Sequence, residues 1–399
     1  MLKSVLRLEE KYRGRYQKCR TDIHEYPELS NEETETSRLV SDVLGSIGLD
    51  IRRIDGKTGV VGLLKSGSPG LTVGIRADMD ALPIEEKSGV PFASRKKGIM
   101  HACGHDVHTA VLLGVAMVLS EMKQSIRGNV KFIFQPAEED SPAGGAMPMI
   151  RSGVLQDPPV DYMLGFHVSP GLETGTWGIN RRIVTAASDR IRIVVKGKSA
   201  HAAMPDAGMD AIVAAAEIID ALQTVISRNV SPLDSAVVTI GKMRGGNRYN
   251  IIADSAEMEG TVRTVDPDTR EMISGRILKV VHGISDACGV TSELTYYKGY
   301  PPAMNDPKLV KAASESIVDA VGKERLIELS SPVLSGDDFA FYCEQVPSVF
   351  LWLGCRPSGI AADEFPRLHS NTFIADENSL PVGVRSLAGL VLDLLGGKQ

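Results

Sequence analysis

The stretch Met100-His101-Ala102-Cys103-Gly104-His105-Asp106-Val107-His108-Thr109 packs three histidines, a cysteine and an aspartate into ten residues, then runs straight into an apolar segment, Ala110 to Leu119. Ligand chemistry therefore sits at the mouth of a buried helix. Cys103 and His105 alternate, so in extended backbone they face one side. Thiolate and imidazole are good ligands for zinc, manganese or another transition ion. The stretch reads as a metal site.

The segments on either side suggest what brings other ligands to it. Val60 to Leu64 and Leu71 to Ile75 read as strands separated by the turn Ser66-Gly67-Ser68-Pro69-Gly70. The second leads into Arg76-Ala77-Asp78-Met79-Asp80-Ala81-Leu82-Pro83, which sets two carboxylates past a strand end. The pattern recurs at Val130 to Phe134, followed by Gln135-Pro136-Ala137-Glu138-Glu139-Asp140. It recurs again at Tyr162 to Val168, with His167 near the end. Helical segments, Thr109 to Met122 and about Ala143 to Ser152, lie between these strands. This alternation predicts an α/β fold with a mostly parallel sheet, whose ligands bind outside the carboxyl ends of the strands. Upstream, the first fifty residues read as helices. Ser30 and Glu33 have the spacing of a capping box, and His24 reads as structural.

The texture changes near Arg182. Asp189 to Lys196 alternates charged and apolar residues, as a half-exposed antiparallel strand does. A helix over Ala211 to Ile226, strands over Ser235 to Gly241 and Ala256 to Thr264, a helix opened by Asp266-Pro267-Asp268 and a strand over Thr291 to Tyr297 follow. The order β-α-β-β-α-β is ferredoxin-like. Residues 183–298 are thus expected to form a domain inserted between the two parts, 1–182 and 299–399, of the first. In the last part a helix over Pro307 to Val321, a strand over Ser348 to Leu353, the loop Arg367-Leu368-His369-Ser370-Asn371 and a closing helix over Pro381 to Leu395 are expected.

A chain of 399 residues exceeds one ordinary core. A net charge of −6 argues against nucleic acid or an acidic membrane as partner. No apolar run reads as long enough to span a bilayer, and the first residues show no secretion h-region. Five scattered cysteines without a CxxC pair fit reduced thiols, so a cytoplasmic location is expected.

Cys103 and His105, with Glu139, His167 and His369, make five available ligands. One catalytic zinc typically takes about three, whereas two ions sharing a bridging ligand would use the set. Of the pair Glu138 and Glu139, one can ligate while the other takes a proton from water; spacing leaves open which. A Cys103–His105 nucleophile pair would leave the acids and histidines at other strand ends unexplained. There is no GxSxG elbow, HExxH helix, GxxxxGK[ST] loop or GxGxxG turn. A metal-binding protein without catalysis is the main rival from another class, and it gives Glu138 no role.

Asp78-Met79-Asp80-Ala81-Leu82-Pro83, His101-Ala102-Cys103-Gly104-His105-Asp106, Gln135-Pro136-Ala137-Glu138-Glu139 and His369-Ser370-Asn371 resemble the signature motifs of the M20 metallopeptidase family. The fit is best to its amidohydrolase branch of aminoacylases, hippurate hydrolases and auxin-conjugate hydrolases. The resemblance implies two divalent ions, manganese or zinc first and cobalt or nickel next, held by Cys103, His105, Glu139, His167 and His369, with Cys103 as the bridge. It implies Glu138 as general base and Asp80 as the residue that orients the site. The inserted domain would be a lid that also forms a homodimer. His201 of Gly197-Lys198-Ser199-Ala200-His201 would steady the oxyanion. Asn250 of Asn250-Ile251-Ile252 and Arg263 would contact substrate, the latter through its carboxylate. The implied reaction is hydrolysis of an N-acyl amino acid, with a carboxypeptidase or dipeptidase as the alternative within the family. Ser199-Ala200, Ala253 and Asp337-Asp338 depart from the usual glycines, proline and Glu-Asp, and none is a proposed ligand.

Overall fold

The computed structural model describes residues 1–54 and 56–396. Two helices, α1 (Leu2–Glu25) and α2 (Thr34–Ser46), precede β1 (Asp50–Arg53), β2 (Val60–Lys65) and β3 (Thr72–Asp78). The metal-like stretch opens α3 (His105–Glu121). Then come β4 (Asn129–Gln135), the short α4 (Ala146–Arg151), β5 (Tyr162–Glu173) and β6 (Trp177–Asn180). A second set follows: β7 (Ala187–Lys196), α5 (Ala211–Asn229), β8 (Ala236–Gly245), β9 (Ser255–Thr264), α6 (Pro267–Cys288) and β10 (Thr291–Tyr300). The chain ends with α7 (Pro307–Val321), β11 (Leu326–Leu329), the short α8 (Ala340–Cys343), β12 (Ser348–Arg356) and α9 (Ser379–Gly396).

Two units divide these elements. The first comprises Met1–Val184, Met304–Ser331 and Asp338–Gln399. Its sheet runs β1-β2-β4-β3-β5-β12-β6-β11. The four central strands, β4, β3, β5 and β12, are parallel to their neighbours within that run. β3 and β12 are buried along their whole length, as strands covered on both faces must be. Against them lies α3, buried from His105 to Leu119 and packed between α1, α9 and the sheet. A helix apolar all round has no solvent face to keep, which explains the unbroken Ala110 to Leu119 run.

The flanks depart from the expected pattern. β1 and β2 pair antiparallel, as do β12 and β6. β1, β6 and β11 carry no strand signal in the sequence, because each is only four residues long and β1 is fully exposed. α4 is shorter than the spacing predicts, since Gly144 and Gly145 disfavour helix ahead of Ala146. α9 corrects another expectation. By length and composition it is apolar enough to cross a bilayer, but thirteen of its residues are buried in the first unit's core.

The second unit comprises Thr185–Ala303 and Pro332–Asp337. It extends beyond 183–298 at its far end because β10 runs to Tyr300. Val333 also pairs back to Thr185, and its carbonyl accepts the Ala186 N–H at 3.0 Å. Its sheet is fully antiparallel, in the ferredoxin-like order β10-β7-β9-β8. One face buries Ile191, Ile193, Val195, Met258 and Val262 against Ile218 and Leu222 of α5 and Ile273 and Ile277 of α6. Asp210 and Asp266 cap those helices through backbone N–H groups. Buried Asp189 ties three segments together, accepting from Arg270 Nε at 2.9 Å, the Tyr296 hydroxyl at 2.8 Å and the Gly299 N–H at 2.9 Å.

Candidate metal centre

Beneath the strand ends of the first unit lies a sealed polar network. Arg76 and Asp78 are i and i+2 on β3, so they share a face, and both are fully buried. Arg76 reaches Asp78 Oδ2 at 2.5 Å, Asp338 Oδ1 at 2.7 Å and Gln135 Oε1 at 3.1 Å. Asp338 Oδ2 accepts the N–H groups of Gly145 and Ala146, each at 2.9 Å. The other Asp78 oxygen lies 2.5 Å from His108 Nδ1, and His108 Nε2 accepts the Val168 N–H at 2.9 Å. Burial pushes the Asp78 carboxyl up, but Arg76, His105 and His108 outweigh it and hold the group well below the carboxylate range. Asp78, His105 and His108 lie close enough to suggest an ion. Both His108 nitrogens are already taken, by Asp78 and by the Val168 N–H, so this trio reads as a support and not a ligand set.

Above it the five predicted ligands converge. Cys103 precedes Gly104, whose φ of 83° allows the chain to turn into α3. A Cβ on Gly104 would stand 2.6 Å from Val168 Cγ2, so only glycine fits. His105, the first residue of α3, places Nδ1 2.9 Å from the Asp80 carbonyl oxygen and leaves buried Nε2 without a partner. Cys103 Sγ lies 3.3 Å from His167 Nε2, whose ring Nδ1 is 2.7 Å from the Val168 carbonyl. The loop carrying His369 is fastened to the same segment, because the His369 N–H donates to the Ala102 carbonyl at 2.8 Å. His369 Nε2 then lies 3.0 Å from Glu139 Oε1, an atom with no hydrogen-bond partner.

Donor atoms of Cys103, His105 and His167 lie within 4.8 Å of one another, and so do those of Cys103, Glu139 and His369. Cys103 is common to both trios. His105, Glu138 and Glu139 form a third set at the same spacing. Asp80 braces the acids from behind: Oδ1 accepts the Glu138 N–H at 3.1 Å, and Oδ2 accepts the Glu139 N–H at 3.0 Å and the Ser30 hydroxyl at 2.6 Å.

The donor chemistry fits a metal pair. His105 Nε2 is buried without a hydrogen-bond partner, and Glu139 Oε1, also without a hydrogen bond, meets His369 in an ion pair; a buried ligand-type atom left without a hydrogen bond is costly unless something binds it. Burial drives the His167 imidazolium well below its usual range, and His108 adds to this. The ring is therefore neutral, the form that ligates. Burial and then the charges of Glu139, Glu138 and Asp78 push the Cys103 thiol far up. A dication between these groups reverses that cost and favours the thiolate.

In the second unit the His201 and Asn250 segments lie side by side. His201 bridges to Ile251, and the Ala202 N–H donates to the Asn250 carbonyl at 3.1 Å. Asn250 Oδ1 is buried and unpartnered. His201 is exposed, with Nδ1 accepting the Ala203 N–H at 3.1 Å. Arg263 points from the helix-free face of β9. Its neighbours there are paired, Arg192 with Glu257 and both Arg190 and Lys242 with Glu259. Arg263 makes no ion pair among the described residues; it bonds Thr261 Oγ1 at 2.6 Å, and burial lowers its pKa.

The structure also adds residues to the centre. Ser30 and Glu33 do not form the expected capping box. The Ser30 hydroxyl goes to Asp80, Glu33 accepts the Ala137 N–H at 2.8 Å, and Glu28 takes the Glu35 and Thr36 N–H groups of α2 instead. The Arg76–Asp78 network was hidden as well. Its signal is present, since a charged pair inside an otherwise apolar strand needs buried partners. His24 is structural, with Nδ1 2.8 Å from Asp106 Oδ2.

The profile of peptidase family M20/M25/M40 matches residues 74–393. An N-acetyl-L-cysteine deacetylase of Bacillus subtilis is 43% identical over 336 residues, covering 84% of this chain and 79% of the relative. A thermostable carboxypeptidase of Saccharolobus solfataricus is 36% identical, covering 94% and 93%. A crystal structure from Bacillus subtilis, described as a dinuclear metal-binding peptidase of the M20 family, superposes with a TM-score of 0.83 at 36% identity, covering 97% and 99%.

Proposed function

The chain belongs to peptidase family M20/M25/M40, and from that premise we propose that it hydrolyses N-acyl amino acids to a carboxylic acid and a free amino acid at a centre of two divalent ions. The observation that carries this reading is Cys103, common to two ligand trios with Glu138 beside them. Cys103, His105 and His167 would hold one ion, and Cys103, Glu139 and His369 the other. Manganese or zinc suits this mixed thiolate, imidazole and carboxylate set best, ahead of cobalt or nickel. Bound there, the pair supplies Lewis acidity toward the amide carbonyl and toward water.

The rest of the chemistry falls to side chains. Glu138, held by Asp80 through its N–H, accepts the proton of the attacking water and passes it to the leaving nitrogen. Asp80 keeps His105 Nε2 directed outward by occupying Nδ1 with its carbonyl. His201 donates to the developing oxyanion, Asn250 offers its unpartnered amide oxygen to the substrate, and Arg263 takes the substrate carboxylate bidentately. The unpaired, half-buried state of Arg263 supports that role.

The second unit also serves, on this reading, as a lid and as the contact between two copies of the chain. Exposed Ile212, Val213, Met209 and Met243 around α5 and the edge strand β8 support the contact. The five free cysteines support a reducing, cytoplasmic setting. The carboxypeptidase relative keeps peptide substrates as the second reading.

A panel of N-acetyl, N-benzoyl and longer N-acyl amino acids beside dipeptides separates the two, with metal analysis of the same preparation. Two ions per chain, and activity lost on chelation and recovered on metal return, are expected. Activity that survives removal of all metal sinks the mechanism.

A further inference from the structure

The turn that carries Glu138 and Glu139 is gripped from behind by a residue far away in sequence. After β4 ends and Pro136 follows, Ala137 takes a left-handed conformation, φ 56°. A residue with a Cβ stays there only where its surroundings impose it. Three successive amides, those of Ala137, Glu138 and Glu139, donate to carboxylates. The second and third go to Asp80. The first goes to Glu33 Oε1 at 2.8 Å, across 104 positions of chain.

Glu33 does not cap the helix it opens. It sits at the start of α2, but the free N–H groups of that helix are taken by Glu28, at 3.1 and 2.9 Å. Its own side chain is turned away from the helix and is fully buried. Oε1 also accepts the Asn31 N–H at 3.0 Å, and Oε2 accepts the Thr58 hydroxyl. Asn31 is itself left-handed, φ 65°. A carboxylate taken out of water is retained where several donors hold it, and these donors fix its distance to Ala137.

We propose that Glu33 is a positioning residue for the hydrolytic site: by binding the Ala137 N–H it holds the left-handed turn that aims Glu138 and Glu139. It touches neither substrate nor ion and acts through the backbone alone. The proposal rests on Glu138 being the base. Without the Glu33 bond, Ala137 relaxes toward the extended region, and the two carboxylates that follow swing with it.

The test compares Glu33→Asp, one methylene too short to reach, with Glu33→Gln, which keeps an acceptor oxygen at full reach. For Glu33→Asp, kcat falls about 10-fold or more while KM stays within about twofold, since small misplacement of reacting groups costs rate. Glu33→Gln stays within about threefold of the parent, because its oxygen still accepts the amide. In the metal-free protein, amide hydrogen exchange at 137–139 speeds up in Glu33→Asp and not in Glu33→Gln. Adding Ala137→Gly to Glu33→Asp returns part of the lost kcat, because glycine enters the left-handed region freely. Should Glu33→Asp not fold, Thr58→Val, which frees Oε2, shows the same pattern at smaller amplitude.

Parental kcat with protected amides in Glu33→Asp, or in Thr58→Val where Glu33→Asp does not fold, overturns the proposal. So do equal losses in Glu33→Asp and Glu33→Gln with unchanged exchange. If Glu138→Gln turns out active, the base assignment fails, yet the exchange arm still reports on the Glu33 grip.

Discussion

On β3 of the first unit, Arg76 and Asp78 are sealed from solvent and meet Asp338 and His108 at 2.5 to 2.7 Å. On the helix-free face of the second unit, Arg192 and Glu257 pair with their side chains 37% and 41% exposed. Both are ion pairs between sheet residues, yet they do different work. The buried set cannot exchange its partners for water, so it fixes the strand ends under the metal centre. The exposed set has water as an alternative partner and fixes little. Proximity of opposite charges is therefore a poor guide to importance, and burial a better one.

The largest effect that would sharpen this contrast lies at the centre itself. Glu138→Gln is expected to lower kcat by about 10³-fold, within the usual range for a lost general base, with bound metal unchanged by elemental analysis. A rate near the parent's removes Glu138 as base.

Next comes Arg76→Met, which strands two buried carboxylates and should destabilise the chain by about 3–5 kcal/mol. Arg192→Ala should leave the denaturation midpoint where it was. Equal midpoints for the two variants would break the comparison.

Arg263 is the test on the second unit's side, as the one arginine of that face argued to need a ligand. Arg263→Ala should raise KM for an N-acyl amino acid about 10- to 100-fold, the worth of a charge-assisted bond. It should change little for the methyl ester of the same substrate, and an equal loss on the ester would deny it the carboxylate.

The smallest effect comes from Lys131, a buried cation of the first unit outside the centre, whose Nζ donates to the Val154 carbonyl at 2.9 Å and also to that of Gln156. Burial lowers its pKa from 10.5 to about 8. Between those values the unfolded chain binds more protons than the folded one, so stability should rise with pH across that window. Lys131→Met should flatten this part of the stability profile measured in denaturant, and an unchanged slope would assign it elsewhere.

The sequence exposed the candidate metal centre because its residues lie in short dense motifs, at the mouth of a buried helix, past strand ends and in one distant loop. Cys103, His105, His167, His369 and the pair Glu138 and Glu139 stand out in the sequence, the resemblance picks Glu139 of the pair, and the structure brings the donor atoms together in overlapping sets. The central strands and the ferredoxin-like order were readable for a similar reason, since period and alternation survive wherever a face is buried. What stayed hidden depends on partners distant in sequence. Ser30 and Glu33 have the spacing of a helix cap, and only the folded chain shows them serving Asp80 and Ala137 instead. β1, β6 and β11 are too short and too lightly patterned to announce themselves. Arg263 looks like any strand arginine until its neighbours are seen to be paired with each other.

One consequence of the chain's path concerns its synthesis. β12 lies between β5 and β6 in the first unit's sheet, and His369 follows it. When a ribosome has delivered β5 and β6, the strand that must separate them is still well over a hundred residues away. The second unit has all four of its strands between Ala187 and Tyr300, so it can close as soon as that stretch emerges. The inserted piece is thus free to fold first, while the half-built sheet waits with an open slot beside β5. A protein released early, before β12, would hold four of the five proposed ligands and lack the strand needed to complete the sheet around them.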